Sequence, residues 1–181
     1  MVGRLPQAVV LDGVKYEIRS DFRVGLLIML MMNDKQMTDD YKFYTLIKTL
    51  FVKMPPDNLF EEALRQAIWF LNCGEIKNGS KNHTPKVMDW EQDEQLIFAG
   101  ITAVAGQDIR NMDFVHWWTF MGYYMSISGD SLFSHVIEIR TKLKRGKKLE
   151  KHEQKFYANN KDMIDLTSDK KEIEELLASS D

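Results

Sequence analysis

Residues 111–126 read NMDFVHWWTFMGYYMS, and Phe114, Val115, Trp117, Trp118, Phe120, Met121, Tyr123, Tyr124 and Met125 within them are apolar or aromatic. At helical spacing these positions cover almost the whole circumference, so the pattern predicts a central helix over 111–126 with no side left for solvent. A chain organised around such an element is mainly α-helical.

The flanking segments support that class. Upstream, Val9, Val10 and Leu11 lead into Asp12-Gly13, and Val14, Tyr16 and Ile18 alternate after it, which predicts an N-terminal β-hairpin over 7–19. Ser20 or Asp21 can cap a helix from Phe22 to Met32 that is apolar on nearly every side and must be buried or partnered. Thr38 offers a second cap, Phe43, Leu46, Ile47, Leu50 and Phe51 form one face, and Pro55-Pro56 stops the helix. Asn58 stands three residues before Glu61, the spacing of a capping box, ahead of the stripe Ala63, Leu64, Ala67, Ile68 and Leu71 that Gly74 closes. Residues 75–88, with Asn78-Gly79-Ser80-Lys81-Asn82 and Pro85, lack periodicity and read as a mobile loop and the main internal joint. Asp89 and Gln92 then open a helix ending near Gly106, and downstream Asp130 is placed to cap a helix through Leu132, Val136 and Ile139. The expected organisation is a hairpin (1–19), a helical part (20–74), the loop (75–88), a central helical part (89–140) and a C-terminal helical arm (141–181).

Composition narrows the function classes. With 181 residues, 44% hydrophobic and 28% charged, the chain has enough apolar surface for a core without staples. A formal charge of −3 argues against a surface built throughout for nucleic acid. The lone Cys73 cannot form an internal disulfide, and the first thirty residues lack a signal-peptide pattern, so a cytosolic protein is expected. The longest apolar run, Val24 to Met32, is well short of the ~20 residues that cross a bilayer.

Chemistry-bearing patterns are sparse. His83, His116, His135 and His152 fall on separate expected elements, with no His-Glu-x-x-His or paired-Cys spacing to hold a metal. Asp113 and His116 stand three apart, but no Ser or Cys nucleophile accompanies them, and a cap Asp beside a packed His accounts for both. The carboxylates Asp89, Glu91, Asp93 and Glu94 fit a helix N-terminus. No glycine-rich phosphate cradle or nucleophile elbow is present, and Cys73 beside Phe70 and Leu71 reads as core. Neither catalysis, a metal nor a cofactor is expected.

Protein contact is the remaining chemistry. Leu27, Met29, Met31 and Met32 suit a surface that accepts varied apolar faces, although thioethers also fill ordinary cores. Trp117 and Trp118 can pack inside or face a partner. Residues 140–155 hold eight positive groups against two negative, and 162–181 hold seven acidic groups against two lysines. The basic run, with Lys144, Arg145, Lys147 and Lys148, can be a solvated face, a nucleic-acid contact or a protein contact that the acidic end shields.

The order of landmarks resembles the bacteriophage gene-product-fifteen family of siphophage tail morphogenesis proteins. The residues that carry the resemblance are Leu5-Pro6, Tyr16-x-Ile18-x-x-Asp21-Phe22-Arg23, Trp69-Phe70 with Cys73-Gly74, Asp89-x-Glu91-Gln92-Asp93 with Ile97 and Ala99, His116-Trp117-Trp118-x-Phe120 and Leu132-Phe133. The acidic end after Leu166 departs from that pattern. The resemblance implies a non-enzymatic tail assembly chaperone that coats the tape-measure protein, recruits tail-tube subunits in the host cytoplasm and is absent from the mature virion. Many weak copies along one rod would bind by avidity, so a homo-oligomer is expected, with no membrane or nucleic-acid partner. A permanent tail or connector component, and a helical DNA-binding regulator using 140–155, are the rival readings.

Overall fold

A computed structural model describes residues 3–75 and 85–168. Most of the expected loop over 75–88, with His83, and the acidic end from 169 onward lie outside the described residues. Among the described residues are two strands and eight α-helices, a mainly α fold behind an N-terminal β-hairpin as the pattern predicts. The chain divides into two compact units, one drawn from Met1–Lys81 and Asp108–Met125, the other from Asn82–Gln107 and Ser126–Asp181. The stretch 89–140, read in sequence as one central part, is therefore shared between the two units.

In the first unit, β1 (Ala8–Leu11) and β2 (Val14–Glu17) pair antiparallel in the register Leu11↔Val14. Asp12 and Gly13 close them with φ of 44° and 75°, the positive values that a two-residue hairpin turn requires and that Asp-Gly supplies. The chain past α2 seals the outer edge of β2: Val52 N–H donates to the Glu17 carbonyl and Arg19 N–H to that of Leu50. Helix α1 (Phe22–Asn33) starts at Asp21, whose carboxylate accepts from Arg23 N–H, and α2 (Asp39–Leu50) starts at Thr38, whose hydroxyl accepts from Tyr41 N–H. Helix α3 (Phe60–Leu71) begins differently from the capping-box expectation. A short 3-10 turn, Asp57–Leu59, runs straight into it and puts Leu59 at the cap, with no side-chain bond from Asn58.

The aromatic segment is shorter as a helix than its apolar count suggests. A 3-10 turn at Ile109–Asn111 and an extended stretch precede α4, the helix at Trp117–Met125. The extended backbone is held by the start of α1: Phe22 N–H donates to the Val115 carbonyl, Trp117 N–H to that of Ser20, and Val115 N–H to Asp21 Oδ2. These long-range bonds outweigh the helical preference of residues 112–116 and swing them into a strand-like bridge.

The second unit contains α5 (Glu94–Ala105), α6 (Leu132–Lys144), α7 (Lys151–Asn159) and α8 (Lys161–Ile164), with α5 preceding α4 in the chain but grouped with the later helices. Helix α5 ends at Gly106 in the left-handed conformation, as expected of a glycine past a helix end. Asp89 caps the turn ahead of α5, accepting from the amides of Glu91 and Gln92, but Asp93 rather than Gln92 reaches back to Asp89 N–H. Gln92 instead donates to the Asp165 carbonyl and accepts from Thr167, fastening the chain end. Ser131, not Asp130, caps α6 through Ser134 N–H, because its hydroxyl stands one residue nearer the first turn.

Arg140 on α6 is the hub of this unit. Its guanidinium is buried, binds Asp93 through both carboxylate oxygens at 2.6 and 2.8 Å, and donates to the carbonyls of Val87, Met163 and Ile164. The basic run of 140–155 is thus not one solvated face. Arg140 lies inside, and Lys142 bridges Glu138 and Glu153. Residues Lys144, Arg145, Lys147 and Lys148 are exposed.

Candidate protein-interaction surfaces

Four of the sequence motifs meet in one cluster of the first unit. The last turn of α3 leaves carbonyls that no later turn of that helix can satisfy. Two indoles close it: Trp117 Nε1–H donates to the Leu71 carbonyl at 3.0 Å and Trp118 Nε1–H to that of Phe70 at 2.8 Å. Behind them the chain turns through Cys73 and Gly74, with φ of 57° and 86°, and Gly74 N–H donates to the Trp69 carbonyl. The Trp118 ring lies against Gly74, where an added methyl would meet it at 3.0 Å. Trp69 meets Trp118 edge to face at 5.4 Å.

His116 joins this cluster to the N-terminus. Its Nδ1 accepts from Trp118 N–H, which leaves the proton on Nε2, and Nε2–H donates to the Pro6 carbonyl at 2.9 Å. Burial pushes the imidazole below its ordinary value, with the Pro6 contact opposing it more weakly. Asp113 is exposed outside a helix and does not cap α4; Asp21 takes the carboxylate's place at this corner through Val115 N–H. Trp117 is 1% exposed and stacks on Phe120 at 5.5 Å, so it is a core side chain, while Trp118 is half-buried.

The outward surface lies on α1 and α2, which pack against each other. Phe22, Gly25 and Ile28 form the buried stripe of α1. Leu27 and Leu30 point outward at 58% and 41% exposure, and Met29, Met31 and Met32 are half-buried. On α2, Tyr41 and Tyr44 are exposed by 57% and 46%. Leu30, Tyr41 and Tyr44 were missed as surface candidates. The all-round apolarity of α1 held the signal, since a helix with one buried stripe must show its other apolar positions elsewhere.

The basic candidates sit apart in the second unit. Lys144, Arg145, Lys147 and Lys148 surround the end of α6, where Gly146 turns the chain with φ of 64° and Lys147 N–H donates to the Lys142 carbonyl. The hydrogen bonds that Lys142 Nζ donates to Glu138 and Glu153 raise the Lys142 pKa, so that ammonium is held charged, and the same contact lowers Glu153. A cleft of about 440 Å³ runs along α6 beside this basic end. A larger one, about 780 Å³, lies in the first unit between Leu5, Lys15, Arg19 and Phe114.

Among the described residues no three His, Cys, Asp or Glu side chains are grouped as metal ligands, and no helix is long and apolar enough to cross a membrane. The sequence profile of the family described as Bacteriophage Gp15 protein matches residues 1–166. The chain belongs to that family. Every residue of the indole and imidazole cluster lies within the span matched to the Gp15 profile, and membership points to a structural or assembly role in the phage. Neither the curated proteins nor the solved structures gave a match.

Proposed function

We propose that this Gp15-family protein is a non-enzymatic tail assembly chaperone. It binds the tape-measure protein as a homo-oligomer in the host cytoplasm, brings tail-tube subunits to the complex and leaves before the virion is complete. The observation that carries the reading is the outward face of α1, where Leu27 and Leu30 stand exposed among half-buried methionines, while the neighbouring helix α2 exposes Tyr41 and Tyr44. Apolar side chains contribute about 1.5 to 3 kcal/mol each when buried against a partner, and thioethers adapt to faces of varied shape. A long tape-measure helix presents many such faces in series, so several copies on one rod gain by avidity.

The deciding experiment is co-expression with the adjacent tape-measure protein. The expected result is a soluble complex that Leu27→Asp with Leu30→Asp abolishes while the variant keeps its circular dichroism and melting temperature. A tape-measure protein that stays insoluble in the presence of the wild-type chain would count against the reading. Purified virions discriminate the rival: stoichiometric presence of this chain there identifies a permanent tail component instead.

A further inference from the structure

Strand β1 is paired along one edge only. In the register Leu11↔Val14 the bonded rows are Leu11–Val14 and Val9–Tyr16, continued by the 3.0 Å bond from Ile18 N–H to the Gln7 carbonyl. The same alternation turns the N–H and C=O of Ala8 and Val10 away from β2, as it turns the Glu17 carbonyl outward to Val52 N–H on the opposite side of the hairpin. At the β1 edge no hydrogen bond reaches the backbone of Ala8 or Val10 among the described residues. Soluble proteins blunt such an edge with charge, proline or a bulge. β1 reads Ala-Val-Val-Leu, pairs regularly along its length, and leaves Val10 54% exposed on its outer face.

Free backbone groups that alternate along a strand recognise another extended backbone, and these are complementary to themselves. A two-fold axis at Val9 sets Ala8 opposite Val10 of a second copy, so that the N–H of each meets the carbonyl of the other, and the axis generates the same row again. Charge fits that register. Ala8 lies across from Glu17 and Val10 across from Lys15 within the hairpin, so each row of the joined sheet runs Glu17, Ala8, then Val10 and Lys15 of the second copy. No like charges face one another, and the apolar pair lies in the middle.

We propose that two copies of this chain join antiparallel through their β1 edges, Ala8 of each opposite Val10 of the other, and so form one continuous sheet from two hairpins. The joint supplies a contact between copies for the homo-oligomer of the proposed function and rests on that part of the reading. It uses no residue of the outward face of α1, and it is tested on the isolated chain, so either surface can fail without the other.

Sedimentation velocity of the full chain across micromolar concentrations is the test. The expected result is a wild type that passes from monomer to dimer and a Val10→Pro variant that stays monomeric, because proline removes an outward N–H that the hairpin does not use. Ala8→Lys with Val10→Lys sets like charges opposite each other in both rows and should also be monomeric. Ala8→Lys with Val10→Glu sets opposite charges there and should restore the dimer, more weakly as salt rises. This rescue fixes the register and does not depend on how the proline variant folds. Amide hydrogen exchange gives a second reading: Ala8 and Val10 should slow as concentration rises, while Val9 and Leu11 are slow throughout. A wild type that is monomeric at every concentration overturns the proposal, as does a charge-paired variant that stays monomeric. A dimer that survives Val10→Pro but is lost in Leu27→Asp with Leu30→Asp overturns it in favour of a joint on α1.

Discussion

Gly25 and Trp117 share a space that holds one of them only as glycine. A methyl built on Gly25 would sit 2.2 Å from the indole of a residue that is itself enclosed and hydrogen-bonded. Gly25→Ala is therefore expected to destabilise by about 1 to 3 kcal/mol, as overpacked cores do, despite its better helix propensity. Trp117→Ala should cost about 3 to 5 kcal/mol by removing the other half of the contact. Denaturant melts of both variants check these magnitudes, and a Gly25→Ala protein as stable as wild type would remove the packing argument. His116 adds a pH term. Its folded pKa lies below the ordinary 6.5, so the unfolded chain takes up the proton first as pH falls. The stability it contributes is complete above about pH 6.5 and declines from there toward the depressed folded value. The stability gap between wild type and His116→Gln should accordingly narrow as pH drops from about 7.5 to about 5.5, measured by urea titration. Sequence alone showed a histidine on an aromatic segment. It could not show that the partners were a proline carbonyl 110 residues away and the amide two residues ahead.

At the scale of elements, local signals succeeded where the partner was local. Thr38, the Asp12-Gly13 turn and Gly106 act within a few residues of themselves, and each does what its residue type favours. Residues 112–116 and Asn58 were misread because long-range backbone bonds in the first case, and a preceding 3-10 turn in the second, override the local preference. The surface on α1 was half legible: Leu27, Met29, Met31 and Met32 stand at its face or margins, but which apolar side of α1 meets the core depends on α2 and α4, which no period reveals. Arg140 is the clearest loss, since a cation in a basic run looked solvated and is buried against Asp93 instead. Truncating its partner leaves a desolvated guanidinium with three carbonyls but no counter-charge. Asp93→Ala is expected to cost about 3 to 5 kcal/mol, the usual consequence of breaking a buried pair from one side. The double variant Asp93→Leu, Arg140→Met should recover part of that loss in thermal melts; equal or greater damage would show that the carbonyl contacts outweigh the ion pair.

At the scale of the whole molecule, the order of the chain and the grouping of its helices do not coincide. The first unit is begun by residues before 82 and completed only by Asp108–Met125, after the chain has passed through α5 of the other unit. The closing segment brings Trp117 and Phe120 to α1, where Phe120 stacks on Phe22 at 5.1 Å, and supplies the indole donors for the carbonyls of Phe70 and Leu71. Contacts this distant in sequence cost loop-closure entropy before they contribute, so the hairpin and the first three helices lack the packing of Trp117, Trp118 and Phe120 until residue 125 is present. A fragment of residues 1–81 would uncover Phe22, whose ring stacks on Phe120, and leave the end of α3 without its two indole donors. We expect that fragment to keep helical far-ultraviolet dichroism, lose the near-ultraviolet aromatic signal and melt without a cooperative transition, the signs of retained secondary structure without fixed packing. A fragment of residues 1–125 should recover both the aromatic signal and a cooperative melt, because it contains the whole first unit. If residues 1–81 alone melt cooperatively with a near-ultraviolet spectrum, the returning segment is an accessory to that unit and not part of its core.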